Sequence, residues 1–211
     1  MQYQKIALGD FPRREQFLYF HGMANPYVGV TAEADIAPLL ARCKASGVRV
    51  SLAIVYVMGR AANRVPALRQ RILDGQPVQF DVCETSHTVL RADGSYGYCR
   101  LNPMQPLEVF LPEAERLHGL AKQQASLDDG DDALGLLFLS AIPWVHYTAL
   151  TQPTPVPADS NPRISWGQFR EGPDGCRMPV TLLANHALVD GLHIGQFYAA
   201  LNDEIAAFSA R

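Results

Sequence analysis

The stretch RMPVTLLANHALVDGLHIGQFYAALNDEIAAF, residues 177–208, limits the possible folds more than any other. From Met178 to Ala184 it is apolar at almost every position, the pattern of a buried strand. An Asp190-Gly191 corner follows, and beyond it Ile194, Phe197, Leu201, Ile205 and Phe208 fall on one face at helical spacing. A buried strand that turns sharply into an amphipathic helix calls for a sheet with a helical layer packed on it. The same corner brings a single imidazole, His186, to the strand end, with an acid four residues later.

The rest of the chain supplies both layers. PYVGVTAEADI (26–36) reads as a strand, and DIAPLLARCKASG places Ile36, Leu39, Leu40 and Cys43 at helical spacing before Gly47. SLAIVYVMGRAANRV (51–65) is apolar nearly all round, which predicts a buried helix under the sheet with Ser51 as its cap. QPVQFDVCE, HTVLRA and YGYCRL are short segments parted by Gly and Asp-Gly corners, as in antiparallel strands, and PLEVFLPEAERLHGLAKQQA is a further helix. After the acidic loop SLDDGDDALG, LLFLSAIPWVHYTAL (136–150) reads as strand, proline interruption and strand. A Pro-rich loop, QPTPVPADSNP, then precedes the strand RISWGQFRE. The expectation is an α/β two-layer sandwich, a mixed β-sheet covered by helices, formed as one domain over residues 1–211.

Composition narrows the function. A formal charge of −3 with no basic cluster argues against nucleic acid, because phosphate binding needs concentrated Lys and Arg. No apolar stretch suits a signal peptide or a membrane span, so a cytoplasmic protein without membrane attachment is expected. Cys43, Cys83, Cys99 and Cys176 are scattered without metal-ligand spacing, which predicts reduced thiols and no structural metal.

NHALVDG (185–191) resembles the HHxxxDG signature of the chloramphenicol acetyltransferases, shared in looser form by the acyltransferase cores of 2-oxo acid dehydrogenase complexes and by peptide-synthetase condensation domains. LSAIPWVHYTAL is similar to that family's SALPW segment, and FPRREQFLYF (11–20) to its N-terminal WKRKEHFxFY segment, in matching order and spacing over nearly the whole chain. Condensation domains are about twice this size, and the dehydrogenase acyltransferases carry lipoyl domains, so the stand-alone acetyltransferases match best. The resemblance implies a homotrimer in which His186 of one subunit faces an acceptor pocket formed largely by its neighbour. It also implies that acetyl-CoA enters from the opposite end of the same channel.

By that resemblance His186 is the general base, a task to which an imidazole titrating near ~6.5 is well matched. On its own, a strand-end histidine is more often a hydrogen-bonded packing residue. Ser140 is the implied donor to the tetrahedral oxyanion; its alternative is a hydroxyl capping a strand end. Asp190 is implied to pair with Arg13 rather than to relay protons, with an exposed helix cap as the alternative. Ser165 stands where the family has a water-holding threonine. Tyr19, Phe20, Tyr98 and Leu150 correspond to acceptor-pocket positions, and Trp144 and Phe169 to positions near the CoA channel, although aromatics there are also plain core residues.

Two departures from the pattern stand out. Asn185 replaces the first family histidine, and Leu150-Thr151-Gln152 replaces a Phe-x-Leu pair in the antibiotic pocket. The expected function is acetyl-CoA-dependent O-acetylation, of chloramphenicol first. A different hydroxylated small molecule, or a non-catalytic trimeric binding protein of the same fold, is the alternative.

Overall fold

The apolar run 178–184 forms the middle of β10 (Gly175–Asn185), the long strand on which the main sheet is built. The computed structural model describes residues 1–123, 126–130, 132–173 and 175–211. On one side β10 pairs antiparallel with β2 (Tyr27–Asp35), and on the other with β8 (Arg163–Gly167) and the short β9 (Arg170–Gly172). Next come β7 (Leu137–Ile142), β5 (Thr85–Leu90) and β6 (Tyr96–Leu101), in the order β2-β10-β8-β7-β5-β6. Only the β5–β7 and β7–β8 pairings are parallel, so the sheet is mixed.

One face of this sheet is apolar and carries the helices α2 (Ala37–Ser46), α3 (Val50–Asn63), α4 (Leu107–Gln123) and α5 (Gly191–Ser209). Leu139, Ile164, Val180, Leu182 and Ala184 are buried in the core with Ile194, Phe197, Leu201, Ile205 and Phe208 of α5. Tyr198 ties α5 to the sheet by donating its hydroxyl to the carbonyls of Val30 and Val180, at 2.9 and 2.7 Å. Because side chains alternate along a strand, the intervening residues face away from the helices and form the front of the molecule. Helix α1 (Arg14–His21) lies before β2.

A smaller sheet, β1-β4-β3, comprises Tyr3–Lys5, Gln76–Phe80 and Gln70–Leu73. Its β3–β4 hairpin turns at Asp74-Gly75, both at positive φ (51° and 72°), as a two-residue hairpin loop demands. The QPVQF segment therefore belongs here rather than to the main sheet. Arg71 is fully buried in this region, donating to the carbonyls of Leu68, Gln70, Leu134 and Leu136. It thereby clamps the small sheet to the start of β7.

Two local expectations change. Helix α3 starts at Val50 with Arg49 at its N-cap and no side-chain cap; the Arg49 carbonyl takes the N–H groups of Leu52 and Ala53 instead of Ser51 serving as cap. Residues 143–150 form turns and loop, not a second strand, since Pro143 has no N–H to continue the ladder and β8 occupies the place beside β7. The last two residues of the helix expected to end at position 125 lie outside the described residues. All four cysteines are buried and free. Among the described residues no helix is long and apolar enough to cross a membrane.

Candidate active site

His186 sits where β10 leaves the sheet, held there by its own N–H on the Pro26 carbonyl at 2.6 Å. Its Nδ1 lies 2.8 Å from the carbonyl oxygen of Val189. A carbonyl can only accept, so Nδ1 carries the proton and Nε2 holds the lone pair of the neutral ring. Phe20 stacks on the imidazole, with centroids 3.9 Å apart and planes 16° from parallel. The ring is therefore fixed in plane, in direction and in tautomer.

The Asp190-Gly191 corner is built from both of its expected uses. One Asp190 oxygen accepts from the backbone N–H groups of Leu192 and His193, at 3.0 and 3.4 Å, capping α5. The other accepts from Arg13, whose second terminal nitrogen reaches the His186 carbonyl at 3.4 Å. His193 completes a capping box through a 3.2 Å bond from the Asp190 N–H to its Nδ1. Burial pushes the Asp190 carboxyl upward, but the Arg13 hydrogen bond and the charges of His193 and Arg13 hold it below the usual carboxylate value. Asp190 thus addresses Arg13 and the helix, not the His186 ring.

On the front of the sheet, strand register lines up Tyr98, Thr88, Ser140, Ser165, Thr181 and Thr31 across neighbouring strands. Ser140 and Ser165 are direct partners in the parallel β7–β8 pair. This row runs beneath a cavity of about 390 Å³ whose wall includes Ser140, Ser165, Thr88, Tyr98 and Leu150. Ser140 has one long contact, 3.5 Å to the Thr88 hydroxyl, which leaves its donor available. Gln152 donates to the Ser165 hydroxyl, a bond the sequence offered only as a departure at that position.

Eight of the predicted residues fall into two groups. Arg13, Phe20, His186 and Asp190 form one cluster; Ser140, Ser165, Tyr98 and Leu150 line the cavity, whose wall includes none of the first group. His186 lies five residues beyond Thr181, the partner of Ser165, or about 16 Å at ~3.3 Å per residue, and Ser140 lies two strands across, about 10 Å. Within one chain they are far beyond hydrogen-bond reach. Tyr19 and Trp144 are 68% and 67% exposed, outside both groups, and Phe169 is also exposed. Trp144 and Phe169 follow the adjacent ends of β7 and β8, at the end of the sheet opposite His186.

Asn185 is 2% exposed and wired in: its Nδ2 donates to the Asp159 carbonyl at 2.9 Å and its Oδ1 accepts from the Ala187 N–H at 3.0 Å. Asp159 in turn receives Arg163 at 2.6 and 2.8 Å and the Tyr27 hydroxyl at 2.9 Å, and burial with the Asp159 charge pushes Tyr27 up to about 12. The Pro-rich loop is thus anchored to the histidine turn. Neither Asp159 nor Tyr27 carried a sequence signal, because their partners are remote in the chain.

A mixed sheet with helices on one face recurs among solved acyl-transfer proteins. A chloramphenicol acetyltransferase structure superposes with a TM-score of 0.89 at 24% identity, covering 97% of this chain and 100% of that one. A truncated catalytic core of the 2-oxoacid dehydrogenase multienzyme complex from Thermoplasma acidophilum follows at 0.68 and 15% identity, covering 96% and 98%. The fold is shared with both structures. In sequence, the chloramphenicol acetyltransferase of Staphylococcus aureus is 24% identical over 212 residues, 96% of this chain and 95% of its own length. The chloramphenicol acetyltransferase family model matches residues 1–202, and the chain belongs to that family of acyltransferases.

Proposed function

We propose that this chain is a cytoplasmic, acetyl-CoA-dependent O-acetyltransferase, a single domain over residues 1–211 acting as a homotrimer on chloramphenicol or another hydroxylated small molecule. The observation that carries this reading is the imidazole of His186: Nδ1 is committed to the Val189 carbonyl, Nε2 is the free base, and no cavity hydroxyl of its own chain is within reach. A second copy that brings its His186 to the Ser140–Ser165 cavity completes the constellation, and the separation of the two halves within one chain supports a site shared between copies.

In that assembly His186 Nε2 removes the proton of the acceptor hydroxyl, and the Val189 carbonyl stabilises the imidazolium that results. Acetyl-CoA, when bound, supplies a thioester carbonyl as the acyl source. The residues present suit it: Ser140 retains a free donor for the acyl oxygen as negative charge builds there. Trp144 and Phe169, exposed at the neighbouring strand ends, would hold its arm. Ser165 and Gln152 offer a shared polar wall beside the reacting oxygen. Arg13 and Asp190 keep the turn that aims the histidine.

The test follows thiol release from acetyl-CoA across a panel of alcohols that includes chloramphenicol. His186→Ala is expected to lower turnover by about 10² to 10⁴ while acetyl-CoA still binds. Mixed trimers reassembled from equal amounts of His186→Ala and Ser140→Ala chains are expected to regain about a quarter of the wild-type sites, since intact residues then meet at some interfaces. Mixed trimers as inactive as both parents, or an active monomer in sedimentation equilibrium, would refute the shared site.

A further inference from the structure

The cavity wall carries one carboxylate that, among the described residues, is in no ion pair. Two guanidinium groups lie near it, and both are taken. Arg163, on the cavity wall, is paired with Asp159 at 2.6 Å. Arg100 is bound to Glu84 and, at 2.8 Å, to Asp132. Asp129, also on the wall, accepts from the Ser86 hydroxyl, and among the described residues no cation pairs with it. Burial pushes its carboxyl above the ordinary value, while the Ser86 hydrogen bond and the more distant Arg100 charge pull the other way.

Its position within the cavity follows from register. Ser86 pairs with Phe138, two residues before Ser140 on β7, so Ser86, which holds Asp129, is displaced about 7 Å along the strands from Ser140. That displacement runs away from the strand ends that lead to Trp144 and Phe169. An acyl donor entering past those aromatics and reacting at Ser140 leaves the Ser86, Phe138, Arg163 and Asp129 half of the cavity to the acceptor. The acceptor's far end therefore meets a carboxylate, a serine hydroxyl and the Tyr98 ring.

We propose that Asp129 is a specificity-determining residue, and that the preferred acceptor is an alcohol carrying an ammonium or other strong hydrogen-bond donor roughly one aryl ring's length from its reacting hydroxyl. This rests on the acetyltransferase reading above and names the substrate class of the same site. A neutral nitroaryl alcohol such as chloramphenicol turns acceptor oxygens toward Asp129 and leaves the charge unpaired.

Binding by calorimetry, without acyl donor, separates this proposal from the catalytic one. Chloramphenicol is compared with its analogue bearing an aminomethyl group in place of the nitro group, on the wild type and on the isosteric Asp129→Asn. The analogue is expected to bind the wild type about 10- to 100-fold more tightly than chloramphenicol, and Asp129→Asn to erase most of that preference. The same order is expected in kcat/KM. An analogue that binds no better than chloramphenicol, or a preference that survives in Asp129→Asn, overturns the proposal. Clear selective binding with no acetyl transfer would instead overturn the catalytic reading and leave the assignment of Asp129 standing.

Discussion

Asp190 does two jobs with two oxygens, and substitutions can separate them. Its cap of α5, built on the Leu192 and His193 N–H groups, is worth about 1 kcal/mol. Its charged hydrogen bond from Arg13 has a ceiling of about 3 kcal/mol. With the two side chains 16% and 33% exposed, solvent screening brings that bond down to about 1–2 kcal/mol. Asp190→Ala loses both contributions, about 2–3 kcal/mol, whereas Asp190→Asn keeps a good cap and loses only the second. Arg13→Ala loses the same charged bond, so the Arg13→Ala/Asp190→Asn double variant should cost little more than either single one, a coupling of about 1–2 kcal/mol. Urea unfolding measures these differences, and each kcal/mol should move Tm by about 2–4 °C in a chain of this length. Turnover is expected to fall in all four variants, because Arg13 also reaches the His186 carbonyl and the His186 ring is anchored at Val189, next to Asp190. If Asp190→Asn is as costly as Asp190→Ala, the cap argument fails; if the Arg13 and Asp190 losses add, the ion pair contributes nothing.

Two further outcomes are expected. Burial, with the neighbouring His118, pushes His87 down to about 3, while an unfolded imidazole titrates near ~6.5. The unfolded chain thus takes up a proton that the native chain refuses, and stability present in full above pH ~6.5 drains away as pH falls toward 3, by about 1.4 kcal/mol per unit. In His87→Gln, Tm against pH should flatten between pH 6 and 4, and an unchanged slope would refute the assignment. Ser140→Ala is expected to lower kcat by about 10² to 10³ with Tm nearly unchanged, because the hydroxyl makes only the 3.5 Å contact with Thr88. A raised KM at constant kcat would make Ser140 a binding group instead.

What the sequence determined by itself was local. The apolar spacing of Ile194, Phe197, Leu201, Ile205 and Phe208 specified the buried face of α5, and the run 178–184 specified a buried strand, because both patterns depend on residues a few positions apart. Family-like motifs named His186, Ser140, Asp190 and Arg13, yet said nothing of how far apart they stand. Where competing local options were close in energy, tertiary context chose: Arg49 over Ser51 at the start of α3, and loop over strand after Pro143. Register is a non-local quantity, decided by which strands the crossovers bring together. Only the folded sheet could set Ser140 beside Ser165, bring Asp129 to Ser86, seat Gln152 on Ser165 and place His186 some 16 Å along the sheet from that row. The chemistry depends on those separations, and no spacing along the chain encodes them, because each is the sum of pairings between segments whose sequences carry no record of their partners.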